Sequence, residues 1–292
     1  MGDYSIKDLE RLSGIKAHTI RIWEKRYGLV EPGRSDTNIR HYNDSDLKKL
    51  LNISTLNRNG LKISKIAQLT NSDISALVEK FSENPHNTGS QLESLYMSMI
   101  DLDEELFEKI INRAIIQMGF ERMYIDIMYP FFNRMGIMWQ TGTISPAQEH
   151  FVSNLIRQKC LVAIDSVVPP EKPGAKTFTL FLPENELHEL GLLFMHYVLK
   201  KRGHRVIYLG AMLPLDNLVA IEKFKPSDYW LASIVTAMET PGIDQYVKSL
   251  SQALPGKKII LTGLQAEKLK IQPKNIVVLH NIKGFIDFIG QL

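Results

Sequence analysis

From Lys176 onward the chain repeats one rhythm, a short apolar run followed by a longer amphipathic stretch, and no other feature restricts its fold so tightly. The apolar runs are Thr177–Leu182, Arg205–Leu209, Tyr229–Val235, Lys258–Leu261 and Ile276–Leu279. The stretches near 190–202, 215–225, 242–254 and 282–290 carry helical spacing. Strands that alternate with helices of this length imply a parallel sheet covered on both faces. Such sheets take ligands beyond the carboxyl ends of their strands. The pattern therefore predicts a doubly wound, flavodoxin-like α/β domain over 175–292.

Upstream the spacing is helical throughout. Leu92, Leu95, Tyr96 and Met99 recur at threes and fours, as do Leu106, Ile110, Ile111, Ala114, Ile115 and Met118, which predicts a helical bundle over 91–168. Pro169-Pro170-Glu171-Lys172-Pro173-Gly174 ends it. The polar stretch Asn84–Ser90 reads as an earlier linker, which leaves a first domain of short helices over 1–82. The whole is a multidomain chain of α and α/β parts.

Charge distinguishes the two ends. The net charge is +3, but residues 1–75 hold 13 Lys/Arg against 9 Asp/Glu, whereas the other 217 hold 22 against 23. A positive end joined to a neutral remainder is the footprint of a nucleic-acid module carrying something else. Cys160 is the sole cysteine, which excludes a disulfide framework and a thiolate metal site. No apolar run reaches the ~20 residues of a membrane span. Met1-Gly2-Asp3-Tyr4 shows no basic and apolar leader. A cytoplasmic protein without a membrane partner is expected.

Ser5 and Asp8 have the spacing of a capping box, and Leu9 and Leu12 give the helix they start an apolar face. Ser13-Gly14 breaks it, and a second helix is expected from about Lys16 to Tyr27. That is helix-turn-helix spacing, with the second helix placed for the major groove. His18, Thr19 and Arg21 lie near its start, where side chains reach base edges, and Lys25 and Arg26 a turn later, where phosphates are nearer. A two-stranded wing fits Gly28–Arg34 and Asn38–Tyr42, with Arg34, Arg40 and Tyr42 facing the DNA backbone. The bland alternative is a small helical domain whose basic face is merely solvated.

Further along, His188 falls just past the first strand of the sheet domain, with Glu186 two residues earlier and Gly191 where the next helix begins. Glu186 is spaced to orient the imidazole, as carboxylates behind ligating histidines do. Read without context, Glu-x-His-x-x-Gly is as well explained by an ordinary surface loop. Trp139 stands nine residues before Glu149-His150. Ser145, Pro146 and Gln148 start the helix that carries the latter pair, and Gly142 allows the turn between helices. The plain reading makes Trp139 core and pairs Glu149 locally. His86, His196, His204 and His280 have no partner at metal-ligand spacing.

Several of these segments resemble known families. Tyr4-Ser5-Ile6, Thr19-Ile20-Arg21, Trp23-Glu24, Tyr27-Gly28-Leu29-Val30, Pro32, Arg34 and Arg40-His41-Tyr42 resemble the winged-helix domain of MerR-family transcription regulators over about residues 3–70. That resemblance implies a dimer on an inverted repeat in double-stranded promoter DNA. The Glu186-x-His188-x-x-Gly191 loop, on such a sheet behind a helical bundle, looks like the cobalamin-binding module of methionine synthases and related mutases. It implies that His188 is the lower axial ligand of cobalt and that the bundle caps the upper face. It also implies that Ser233, Thr236 and Gly263 line the cleft for the nucleotide tail. Trp139 with Glu149 and His150 resembles the cap of the CarH/LitR group, MerR-type repressors that use adenosylcobalamin as a light sensor.

The resemblance thus implies a regulator rather than an enzyme, a repressor whose self-association as dimer or tetramer and whose DNA affinity are set by cobalamin, adenosylcobalamin foremost. Two positions depart from the pattern. Thr262-Gly263-Leu264 stands where cobalamin modules carry Gly-Gly, and Leu264 is expected to narrow the cleft. Gln140 stands where the light sensors carry a cobalt-ligating His. The alternative is a MerR-type regulator whose sheet domain has lost cobalamin and serves dimerisation or protein interaction.

Overall fold

In the computed structural model, which describes residues 4–34, 38–82, 88–140, 144–238 and 242–292, the first helix, α1 (Ile6–Ser13), starts at the expected capping box. The Ser5 hydroxyl accepts from the Asp8 amide and the Asp8 carboxylate from the Ser5 amide. Gly14, at φ +70, ends α1 in the left-handed region that glycine enters without strain. After this turn α2 (Ala17–Tyr27) buries Ile20 and Trp23. The wing follows as β1 (Gly33–Arg34) antiparallel to β2 (Arg40–His41). Three helices complete the segment: α3 (Asp44–Arg58), α4 (Ile63–Ile66) and α5 (Asn71–Ser82).

The helical segment contains α6 (Thr88–Asp101), α7 (Glu104–Met123), a π-helical turn over Tyr124–Met128, α8 (Tyr129–Gln140) and α9 (Pro146–Ser166). The expected linker Asn84–Ser90 needs correction at its end. Residues 84–87, with His86, lie outside the described residues, and Thr88 to Ser90 are already the first turn of α6. Ser90 is buried and takes a hydrogen bond from Asn59 Nδ2 at 3.2 Å, so a tertiary partner makes helix of a polar stretch.

Residues 1–155 form one compact unit and 156–292 another, the division falling inside α9. Within the first unit α3 and α6 are joined side chain to side chain in antiparallel order. Lys48 meets Asp101 at 2.6 Å, Thr55 and Arg58 meet Glu93, and Asn59 meets Ser90.

The second unit is the doubly wound sheet. Its chain runs β3 (Thr177–Pro183), α10 (Leu190–Lys201), β4 (Arg205–Leu213), α11 (Leu215–Phe224), β5 (Tyr229–Ser233), α12 (Ile243–Ala253), β6 (Lys258–Thr262), β7 (Ile276–Val278) and α13 (Ile282–Gly290). All strand pairs are parallel, in the order β4-β3-β5-β6-β7. The order reverses between β3 and β5, the switch point that opens a crevice at their carboxyl ends. Both strands are buried along nearly their whole length, which is why each reads as an apolar run. Two bounds differ from expectation. β4 continues past Leu209 to Leu213 through a register shift against β3. β5 stops at Ser233, two residues early, because the next amides but one leave the ladder for a side chain described below.

Candidate cofactor and DNA-binding sites

In the sheet unit the carboxyl ends of β3 and β5 meet through one carboxylate. Glu186, 1% exposed, lies in the loop after β3. Its Oε1 accepts the Nδ1–H of His188 at 2.6 Å and the His188 backbone amide at 3.0 Å. Its Oε2 accepts the backbone amides of Val235 and Thr236, each at 2.7 Å, and the Thr236 hydroxyl adds a bond to Oε1 at 3.1 Å. Burial alone would raise the Glu186 pKa. The bonds from His188, Thr236 and Val235 outweigh it and hold the carboxyl at about 2. An ionised carboxylate that takes Nδ1–H fixes the imidazole tautomer with its lone pair on Nε2, the atom that binds metals. The His188 side chain itself is exposed.

One open position and two buried hydroxyls lie in the same unit, in the helix and strands next in line. Gly191, in the first turn of α10, has open space where a Cβ would be. Ser233 and Thr262 stand opposite each other at the ends of β5 and β6, both buried, and the Thr262 hydroxyl has no hydrogen-bond partner. A buried hydroxyl without a partner costs roughly 1–3 kcal/mol unless a ligand or water completes it. In the sequence its neighbours Gly263 and Leu264 stand out and Thr262 does not. Gly263 answers to its own chain: at φ +93 a Cβ would stand 2.5 Å from the Ile234 carbonyl oxygen. The glycine is demanded by the loop after β5, whatever else lines the cleft there. Leu264 is 56% exposed.

A second group that spacing did not reveal braces the start of α10. Glu189 accepts from Arg157 Nε of α9 and from the Tyr208 hydroxyl of β4 at 3.0 Å. These residues are 32 and 19 positions away from it, and no local pattern links them.

Among the described residues no group of three His, Cys, Asp or Glu gathers to hold a metal ion. His188 could therefore serve a metal only as a single protein ligand, which suits a metal already held by a macrocycle. The donor set fits cobalamin in that sense.

In the helical segment α9 begins as expected. The Ser145 hydroxyl accepts from the Gln148 amide at 3.3 Å, and Gln148 Oε1 accepts from the Ser145 amide at 2.9 Å. Glu149 accepts from Ser153 Oγ and contacts His150 Nδ1, both at 2.5 Å. Trp139, near the end of α8, is 48% exposed, so the plain reading of it as core does not hold. Among the described residues no hydrogen bond joins Trp139 to Glu149 or His150, and Gly142 lies outside the described residues.

At the DNA-binding end, α2 lacks a side-chain cap of its own. Glu10 of α1 supplies one, accepting the Ala17 amide at 3.1 Å and pairing with Lys16. With Ile20 and Trp23 turned inward, His18, Arg21, Lys25 and Arg26 lie exposed, and Thr19 is half-buried beside His18. Ile22 is exposed on the same side, an apolar group of the kind that meets a thymine methyl. Arg34 on the wing donates to Asn38 at 2.6 Å. Arg40 makes a forked pair with Glu24 of α2, at 3.1–3.2 Å, which ties wing to helix. Tyr42 departs from the expectation of a surface-facing side chain: the ring is 1% exposed, beside the paired backbones of Tyr4 and Tyr42.

Comparison with known proteins identifies two segments of the chain. Residues 4–73 match the family model described as MerR HTH family regulatory protein, and residues 91–162 match a B12 binding domain. The chain is 27% identical over 294 residues to the HTH-type transcriptional repressor CarH of Myxococcus xanthus, covering 98% of this chain and 96% of that one. It is 30% identical over 267 residues to the repressor CarA of the same organism, covering 90% and 87%. Its fold is similar to that of the monomethylamine corrinoid protein of Methanosarcina barkeri, with TM-score 0.52, 13% identity, 66% of this chain and 94% of the other covered. At that identity the likeness is one of fold.

Proposed function

We propose, for a chain that belongs to the MerR HTH family of regulatory proteins and to the group of B12-domain repressors that includes CarA and CarH, that it represses transcription under the control of bound cobalamin, with adenosylcobalamin as the form and light as one signal. That it is a DNA-binding transcription regulator with a B12 binding domain, and not an enzyme, follows from the family. The control by cobalamin is our reading. The observation that carries it is the Glu186–His188 pair: a buried, ionised carboxylate at the switch point holds an exposed imidazole in the metal-binding tautomer.

In this reading His188 Nε2 would hold the cobalt of cobalamin, Gly191 would leave space for the macrocycle, and Ser233, Thr236 and Thr262 would offer hydroxyls to its nucleotide tail. Trp139, Glu149 and His150 suit a group with both an aromatic ring and hydroxyls. Adenosylcobalamin supplies a cobalt–carbon bond that visible light breaks. His18, Thr19, Arg21, Lys25, Arg26, Arg34 and Arg40 contact an inverted repeat in promoter DNA, one half-site to each copy of a dimer or tetramer. The three functional segments are 1–82, 91–168 and 175–292, and the protein works in the cytoplasm. Among the described residues no helix is long and apolar enough to cross a membrane.

The test mixes the purified chain with adenosylcobalamin in the dark, removes excess by size exclusion, and records the visible spectrum before and after green light. Cobalamin that co-elutes with the wild type, with a changed spectrum in His188→Ala, is expected. A further change in spectrum and elution volume on illumination is expected for a light sensor. A colourless protein peak would sink the cobalamin reading and leave a family member whose sheet unit serves self-association.

A further inference from the structure

The turn of the helix-turn-helix is held from outside the DNA-binding helices. Arg58, the last residue of α3, donates from Nη2 to the carbonyl of Ser13 at 2.9 Å, and Ser54 Oγ donates to the same oxygen at 2.8 Å. The guanidinium lies so close to the turn that a Cβ on Gly14 would stand 2.6 Å from Nη2. Its other arm, Nη1, donates to Glu93 Oε1 at 2.8 Å, and Glu93 is 1% exposed on α6 of the helical segment. The second Glu93 oxygen is bonded to Thr55. One turn on, Tyr96 stacks against Phe131 and carries the Arg134 guanidinium 4.5 Å above its ring. Phe131 and Arg134 belong to α8, the helix that ends beside Trp139.

A guanidinium bonded on two sides is a fixed fork, whereas one held on a single side keeps its rotamer freedom. We propose that Arg58 and Glu93 are positioning residues for DNA reading: Glu93, carried by the helical segment, holds Arg58 against the Ser13 carbonyl and so sets the α1–α2 turn from which the reading helix departs. Glu93 is buried and touches no DNA. It acts through Arg58, and a shift of α6 or α8 reaches the reading helix by this route. The regulation so described rests on the DNA-reading role of α2 and not on which ligand the sheet unit holds.

The experiment uses the full chain as wild type, Glu93→Gln, Arg58→Gln and the double variant. Glutamine keeps the size of Glu93 but cannot form the charged pair, and because removing one partner of a buried pair lowers overall stability, exchange at the turn is read relative to that of α3 and α5. Amide hydrogen exchange at Gly14, Ile15 and Ala17 is expected to quicken by about tenfold more than that of α3 and α5 in both single variants. Binding is then measured to the duplex that the wild type selects from a random-sequence pool and to an unrelated duplex. Each single variant is expected to lose roughly five- to tenfold for the selected duplex and nothing for the unrelated one. The double variant is expected to be no worse than either single, since the pair acts as one unit. Exchange at the turn that quickens no more than that of α3 and α5 in both single variants would overturn the proposal. So would an Arg58→Gln loss shared by both duplexes, with a salt slope lower by about one and Glu93→Gln at wild-type affinity, because Arg58 would then be a phosphate contact. A wild type that selects no duplex would sink the DNA-reading role itself, while exchange at the turn still decides whether the clamp exists.

Discussion

Gly263 and Ile234 touch backbone to backbone: a Cβ on Gly263 would lie 2.5 Å from the Ile234 oxygen and 2.9 Å from its nitrogen. The two loops that meet there close the carboxyl ends of β5 and β6, with Ile234 N bonded to Thr262 O at 2.8 Å and Gln265 N to Ile234 O at 3.0 Å. Position 263 is thus a requirement of the fold, and its neighbour Leu264 points outward.

Gly263→Ala is therefore expected to destabilise the chain by about 2–4 kcal/mol, combining a clash with backbone and a positive φ. The loss should appear in thermal unfolding with or without cobalamin. Leu264→Ala is expected to stay within about 0.5 kcal/mol and to leave cobalamin retention unchanged. A cofactor-dependent Gly263→Ala defect would mean that the glycine serves the ligand after all.

Glu186 predicts the acid side of the stability curve. Its folded pKa, about 2, lies below the ordinary 4.5, so it is ionised in the native state where the unfolded chain takes up a proton. Its contribution is fully present above about pH 4.5 and is lost as pH falls towards 2. The shift is worth on the order of 3 kcal/mol. Urea unfolding of wild type and Glu186→Gln from pH 7 to 3 checks this: the gap between the two should shrink as pH falls.

Tyr42 is a second discriminating position. Among the described residues its buried hydroxyl has no hydrogen-bond partner, so Tyr42→Phe removes an unsatisfied group. The variant is expected to be unchanged or up to about 1 kcal/mol more stable, with the same DNA affinity and salt slope. A weaker complex with a smaller salt slope would restore Tyr42 as a phosphate contact.

The exposed face of α2 separates two kinds of contact. Lys25→Ala is expected to weaken binding to all duplexes alike and to lower the salt slope by about one. Arg21→Ala, nearer the start of the helix, is expected to cost roughly 1–3 kcal/mol on the selected duplex and to relax its sequence preference. Titrations of both variants at several salt concentrations distinguish the two outcomes.

Arg40 shows why part of the site could not be read in advance. As a basic residue on a wing it was legible as a DNA contact, but its forked pair with Glu24, 16 residues away, depends on how the wing folds over α2. Trp139 shows the converse. Its motif with Glu149 and His150 is visible in the chain, yet both side-chain partners of Glu149 lie within α9 itself.

By itself the sequence determined what local chemistry decides. The capping boxes at Ser5 and Ser145, the break at Gly14, the strand–helix rhythm after Lys176 and the Glu186–His188 spacing all act within a few residues. Only the tertiary structure decided the strand order that puts β3 beside β5, the meeting of Glu186 with the amides of Val235 and Thr236, the need for Gly263, and the span from Ser13 through Arg58 to Glu93. Those pairs lie tens of residues apart. The bonds that join them form only when packing has removed water and brought the elements within reach, and no periodicity along the chain records which ones will meet.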